Sequence, residues 1–92
     1  MAVTVRIPTP LRKLSGGQDA VTVEGADVRA ILAGLEAAHP GFNAKILDDA
    51  GKLRRFVNLY LGDDDVRFLD GLDTPVADGA ELSIVPAIAG GA

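Results

Sequence analysis

Residues 27–41 read Asp27-Val28-Arg29-Ala30-Ile31-Leu32-Ala33-Gly34-Leu35-Glu36-Ala37-Ala38-His39-Pro40-Gly41, and this stretch decides the architecture. Val28, Ile31, Leu32 and Leu35 stand at i, i+3, i+4 and i+7, which is one apolar stripe on an α-helix. Asp27 precedes the stripe and suits an N-cap, because its carboxylate can accept from the orphan N–H groups of the first turn. Ala30, Ala33, Ala37 and Ala38 favour helix, whereas Gly34 costs about 1 kcal/mol relative to alanine. Pro40-Gly41 stops the helix near His39. A helix over 27–39 with a single apolar face needs a sheet to cover.

On both sides of the helix the apolar period falls to two. Val3, Val5 and Ile7 alternate with Ala2, Thr4 and Arg6, and Val21 and Val23 alternate with Thr22 and Glu24. These are two strands of an antiparallel hairpin, joined by a loop over 11–18 with Gly16-Gly17 as its turn. Phe42 to Asp49 suits either a short helical turn or irregular cover. Arg55, Val57, Leu59 and Leu61 alternate with Phe56, Asn58 and Tyr60 as a third strand, with Val57, Leu59 and Leu61 facing the core. Val66 to Phe68 reads as a short fourth strand, and Gly71 to Ala77 as a turn or a short 3₁₀ piece. Leu82 and Ile84 face inward on a last strand, Ser83 and Val85 outward, and Pro86 ends it. The order β-β-α-β-β-β predicts an α+β fold, a mixed sheet with one main amphipathic helix on one face. Residues 1–86 form the domain and 87–92 a C-terminal tail.

Composition narrows the chemistry. Ninety-two residues, 48% hydrophobic and 24% charged, make one domain with one core. Cysteine is absent, which removes disulfide frameworks, thiolate metal sites and cysteine nucleophiles. A net charge of -4 disfavours nucleic acid as a partner. No apolar run approaches the roughly 20 residues of a membrane span. The first ten residues lack the apolar core of a signal peptide, so a cytoplasmic protein is expected.

Four features of the sequence bear on function. Asp63, Asp64, Asp65, Asp70, Asp73, Asp78 and Glu81 cluster between Leu61 and Glu81, with Arg67 as the one base. Their spacing lacks a calcium-loop pattern, so they read as solvated turns and no metal site is expected. His39, the single histidine, suits the C-terminal end of the helix dipole and has no companion for general-base work. Arg12, Lys13, Arg54 and Arg55 read as solvated basic pairs. The C-terminus is the informative feature. Pro86-Ala87-Ile88-Ala89-Gly90-Gly91-Ala92 is uncharged and ends in adjacent glycines, whose missing Cβ allows close backbone approach in a narrow channel. The alternative is a frayed end. Ala87 to Gly91 are expected to be mobile in the free protein and ordered in a partner.

These features together resemble the ubiquitin-like β-grasp sulfur carriers, which include the small subunit of molybdopterin synthase, the thiamine-pathway carrier and the actinobacterial carriers of cysteine synthesis. The stretches that carry the resemblance are Val3-Thr4-Val5-Arg6-Ile7-Pro8, Gly16-Gly17-Gln18, Gly51 to Asn58, Asp64-Asp65-Val66-Arg67-Phe68, Gly71-Leu72, Ala77-Asp78-Gly79 and Ile84 to Gly91. The resemblance implies a carrier rather than an enzyme, with no bound cofactor. A ubiquitin-activating-like adenylyltransferase would use ATP to adenylate Gly91, with Gly90 threading beside it. A sulfur donor would then leave a thiocarboxylate for a sulfur-accepting biosynthetic enzyme of cysteine, molybdopterin or other sulfur metabolite synthesis. The family's active form ends at the second glycine, so either Ala92 is removed, with a metalloprotease as the implied agent, or Ala92 is an alteration of the natural end, or this copy is inactive. A ubiquitin-like protein modifier and a molybdopterin synthase small subunit remain alternatives. The alternation also points Phe56, Asn58 and Tyr60 to the sheet face away from the helix. With Val85, Pro86 and Ile88 they form the expected partner-binding set.

Overall fold

Asp27 caps the helix as its position predicts. Its carboxylate accepts from the Ala30 N–H at 2.7 Å, and helix α1 runs over Val28–Ala38 with His39 closing it. A computed structural model describes residues 2–55 and 57–86. The strands are β1 (Ala2–Arg6), β2 (Ala20–Glu24), β3 (Val57–Leu61), β4 (Asp64–Asp65) and β5 (Glu81–Pro86). A second short helix, α2, spans Phe42–Ile46. They form one sheet in the order β2-β1-β5-β3-β4. Every pairing is antiparallel except the central one between β1 and β5.

Register explains the core. Val21 pairs with Val5, Val5 with Leu82, and Leu82 with Leu61. One apolar row therefore crosses four strands, because side chains opposite one another in a ladder share a face. Val3 opposite Val23 and Leu59 opposite Ile84 extend it. Val28, Ile31, Leu32 and Leu35 of α1 lie fully or almost fully buried on this face. Phe42 and Ile46, at i and i+4 on α2, are also fully buried, so residues left undecided in sequence close one end of the core.

Local departures have local causes. The stretch expected to be a loop over 11–18 begins instead with a 3₁₀ helix at Thr9–Ser15. Pro10 stands in its first turn, where the missing N–H costs nothing, and Leu11 is buried. Gly16 and Gly17 follow with positive φ, as a two-glycine turn requires. The third strand starts at Val57 rather than Arg55. The short fourth strand lies at Asp64–Asp65, and Val66–Phe68 is a 3₁₀ turn. The Asp65 carboxylate accepts from the Arg67 N–H at 2.9 Å, a local bond that turns the chain out of the ladder. The 3₁₀ reading near Gly71 holds, over Gly71–Asp73.

Two glycine and carboxylate positions generate tests. A Cβ on Gly34 would lie 2.6 Å from Val23 Cγ1, so glycine is what lets α1 approach β2. Gly34→Ala should lower stability by about 1 kcal/mol, the cost of overpacking exceeding the gain in helix propensity. A rise in midpoint on urea unfolding would refute that close approach. Glu36 accepts from the N–H groups of Asn43 at 2.8 Å and Gly41 at 3.1 Å. These bonds, Asn43 first, hold its carboxyl below the ordinary value of 4.5. A lowered folded value means stability present above the unfolded value and lost as pH falls through the folded one. Glu36→Gln should therefore lower the melting temperature at neutral pH, with the difference from wild type shrinking as pH falls below 4.5. Thermal unfolding followed across pH reads both outcomes.

Candidate functional site

The end of β5 and the face of the sheet away from α1 form the candidate site. Antiparallel pairing sets Pro86 opposite Val57, Val85 opposite Asn58 and Ser83 opposite Tyr60. Val57 and Leu59 are buried, whereas Asn58 and Tyr60 between them are half-exposed on the other face. Val85 is 41% exposed, a large value for an apolar strand residue, and stands one position before the strand ends. Parallel pairing carries the row on from Ser83 to Arg6. The Arg6 guanidinium lies 3.5 Å from the Glu81 carboxylate, both half-exposed, so the pair adds little to stability. The result is an open, mixed polar and apolar surface beside the last strand.

Arg67 sits against the same corner and was not singled out as a site residue in sequence. Its Nη1 donates to Asn58 Oδ1 at 2.7 Å, and its Nη2 donates to the Arg54 carbonyl. The guanidinium fork thus joins the 3₁₀ turn at 66–68 to the start of β3, where Asn58 faces Val85. The available sequence signal was Asp65 two residues before Arg67, which predicts an Asx turn and a redirected side chain. The turn also presents Phe68 and Leu69, 88% and 45% exposed.

Arg54 bonds through Nε to the Ala44 carbonyl at 3.2 Å, and Arg12 through Nε to the Ile7 carbonyl at 3.1 Å. Both therefore tie loops to elements. Asp48 accepts from Ala50 and Lys52 N–H groups. Its carboxyl is held below the ordinary range, chiefly by the Lys52 N–H, against partial desolvation. His39 packs edge-on to Phe42, ring centres 6.4 Å apart. Among the described residues no three acids or histidines converge as metal ligands, and no helix is long and apolar enough to cross a membrane.

Of the residues expected at the site, Asn58, Tyr60 and Val85 share one face, and the Pro86 backbone continues their ladder. Phe56, Ile88, Gly90, Gly91 and Ala92 lie outside the described residues, as does the expected mobility of 87–91.

Comparison with known proteins adds to this geometry. The ThiS family model matches residues 5–91. The chain belongs to the ThiS family. A relative from Mycobacterium tuberculosis called "Sulfur carrier protein CysO" is 48% identical over 93 residues, 99% of this chain and 100% of the relative. The structure of the BexX/CysO complex of Amycolatopsis orientalis contains a chain 47% identical to this one. Its TM-score is 0.92, over 97% of this chain and 99% of that one. "Small archaeal modifier protein 3" of Haloferax volcanii is 34% identical over 68 residues, 74% of this chain and 73% of that protein. The ubiquitin-like β-grasp fold and the sulfur-carrier family read from the sequence are both borne out. The ThiS match runs through the end of β5 to Gly91.

The fork at Arg67 yields a test. Arg67→Ala should cost about 1 kcal/mol, the scale of hydrogen bonds from a charged but exposed group. Arg67→Lys should not restore it, since an ammonium cannot reach Asn58 and the Arg54 carbonyl as a planar fork does. Chemical denaturation with amide exchange at Asn58 reads the loss, and full recovery by lysine would show that charge alone matters.

Proposed function

We propose that this chain is a sulfur carrier whose reacting group is the carboxylate of Gly91. The observation that carries this reading is end-to-end similarity, at 48% identity, to a protein named as a sulfur carrier. The residue sequence supports it, since β5 leads through Pro86 into Ala87-Ile88-Ala89-Gly90-Gly91.

A free carboxylate has a pKa near 3.5 and is an ionised, unreactive acyl group at neutral pH. In the proposed cycle an adenylyltransferase of the ubiquitin-activating type binds the carrier and ATP. A Gly91 carboxylate oxygen attacks the α-phosphorus, pyrophosphate leaves, and the acyl group now carries AMP as leaving group. A sulfide-level donor attacks the carbonyl carbon, the bond to AMP breaks, and a proton is released. The product is a thiocarboxylate, the nucleophile given to a sulfur-accepting enzyme. Cysteine synthesis is the pathway the CysO name favours. The carrier acts as a cosubstrate, and the nucleotide is bound by the enzyme. Ala92 follows Gly91, so the Gly91–Ala92 peptide bond must first be hydrolysed, the step assigned to a metalloprotease. Asn58, Tyr60, Val85 and Pro86, with Phe56 and Ile88, form the docking surface, and Gly90 threads beside Gly91.

A second reading is a protein modifier linked to lysines, favoured by the relative named as a small archaeal modifier. Intact-mass analysis separates the two. A thiocarboxylate adds the mass difference of one sulfur for one oxygen, whereas a modifier gives lysine-linked adducts.

ATP–pyrophosphate exchange with the cognate adenylyltransferase tests the reading. A chain ending at Gly91 should support exchange, and one ending at Ala92 should not. Tyr60→Ala in the shorter chain should raise the KM for carrier roughly tenfold, as loss of one interface anchor does, with the melting temperature little changed. Equal exchange by both chain lengths would overturn the assignment of Gly91.

A further inference from the structure

A cleft of about 430 Å³ opens on the helix side of the β4 edge, lined by Arg29, Lys52, Leu53, Arg67, Gly71 and Leu72. Two half-buried leucines give it apolar walls, and three cationic side chains border it in a chain whose net charge is -4. Arg29 lies 3.2 Å from Asp73, and Arg67 bonds to Asn58, so two of the cations already have polar partners at the cleft's edge.

Beside the cleft stands a knob. Phe68 is 88% exposed, the largest exposure of any large apolar residue described, and Leu69 is 45% exposed. Asp70 follows them, also exposed. Arg67, Gly71 and Leu72 line the cleft while Phe68, Leu69 and Asp70 lie between them in the chain, so knob and cleft adjoin. An apolar knob with an acid next to an apolar cleft with cations is self-complementary. A twofold axis between them would seat each knob in the other chain's cleft, the arrangement that a closed, isologous pair requires. Volume allows it, since a cavity of about 150 Å³ already admits a benzene ring.

We propose that this face binds a second copy of the chain, Phe68 of each protomer entering the cleft of the other and Asp70 meeting its Lys52. The contact is small, of the weak class below about 1,200 Å², and the dimer is therefore reversible. The cleft adjoins the docking face through Arg67, which bonds to Asn58, but the proposed contact is made by Phe68, Asp70 and Lys52 and does not rest on the sulfur-carrier reading.

Sedimentation equilibrium of the whole chain tests it, over about 10 µM to 1 mM, where contacts of this size associate. Wild type should show a monomer–dimer equilibrium that weakens between roughly 0.02 and 0.5 M salt, because exposed charge pairs are screened. Phe68→Asp should abolish the dimer with the melting temperature unchanged, as expected for so exposed a side chain. Lys52→Glu and Asp70→Lys should each raise the dissociation constant about tenfold, the effect of losing one favourable charge contact. Both changes in one chain should recover much of the loss. A monomer at every concentration, a dimer indifferent to Phe68→Asp, or no recovery in the double variant would each overturn the proposal. A monomer whose Phe68→Asp form binds the cognate adenylyltransferase poorly would instead give this face to the enzyme.

Discussion

The parallel pairing of β1 with β5 is the constraint on which the rest of the structure depends. It joins the first strand to the last, Val5 beside Leu82, and so closes the chain's longest loop in one ladder. Parallel pairs need a long crossover, and the intervening residues supply it as the elements that cover the sheet. With β1 fixed, its hairpin partner β2 lies outside it. With β5 fixed, β3 and then β4 complete the other half. The apolar row from Val21 through Val5 and Leu82 to Leu61 exists only in this register, since a slip of one residue would turn every side chain to the opposite face. The stripe on α1 and the α2 pair Phe42 and Ile46 then exclude water from it.

The legible part of this in sequence was the part with an unbroken period. Val28, Ile31, Leu32 and Leu35, with Asp27 as cap, gave α1 to within one residue at each end. Alternation gave β1, β2 and β5 and the correct faces of Asn58, Tyr60 and Val85. What escaped was structure set by single local bonds. Val66–Phe68 has strand composition, yet one bond from Asp65 to the Arg67 N–H turns it into 3₁₀. Phe42–Ile46 is too short for periodicity to separate helix from cover, and Glu36, seven residues before Asn43, supplies the carboxylate acceptor for the N–H groups at its start. Strand order could not be read from periods either, because an alternating strand fits any position in a sheet. The candidate site was legible in its strand residues, whereas Arg67 became visible only when folding carried it to Asn58, nine residues away in sequence.

The acidic character of the chain is spent largely on local geometry. Asp27 caps α1, Asp48 holds the 48–52 loop, Asp65 turns the chain after β4, and Asp78 accepts from the Ala2 N–H at 2.9 Å. Each accepts from backbone N–H groups that would otherwise go without a protein partner. Within the cluster between Leu61 and Glu81, read in sequence as solvated turns, Asp65 and Asp78 hold backbone N–H groups in this way, the role for which short carboxylates are suited. The cations divide in the same way. Arg12 and Arg54 fasten loops through carbonyls, whereas Arg29, Lys52 and Arg67 border one cleft.

In the proposed reaction the strand that carries the reacting end is also a central strand of the sheet. β5 is paired to β1 as far as Ser83 and to β3 as far as Pro86, so the β3 ladder holds the point from which residues 87–91 depart against the open face that bears Asn58, Tyr60 and Val85. An enzyme that grips this face therefore fixes the origin of the segment leading to Gly91, and delivery of the carboxylate becomes an intramolecular event. Five residues of tether keep its effective concentration in the millimolar range or above. The face needs only modest affinity to achieve this, which suits a carrier that must leave one enzyme for the next. A tighter surface would speed capture by the adenylyltransferase and slow release of the thiocarboxylate form. A half-polar face beside a doubly paired strand satisfies both requirements, and a wholly apolar one would satisfy only the first.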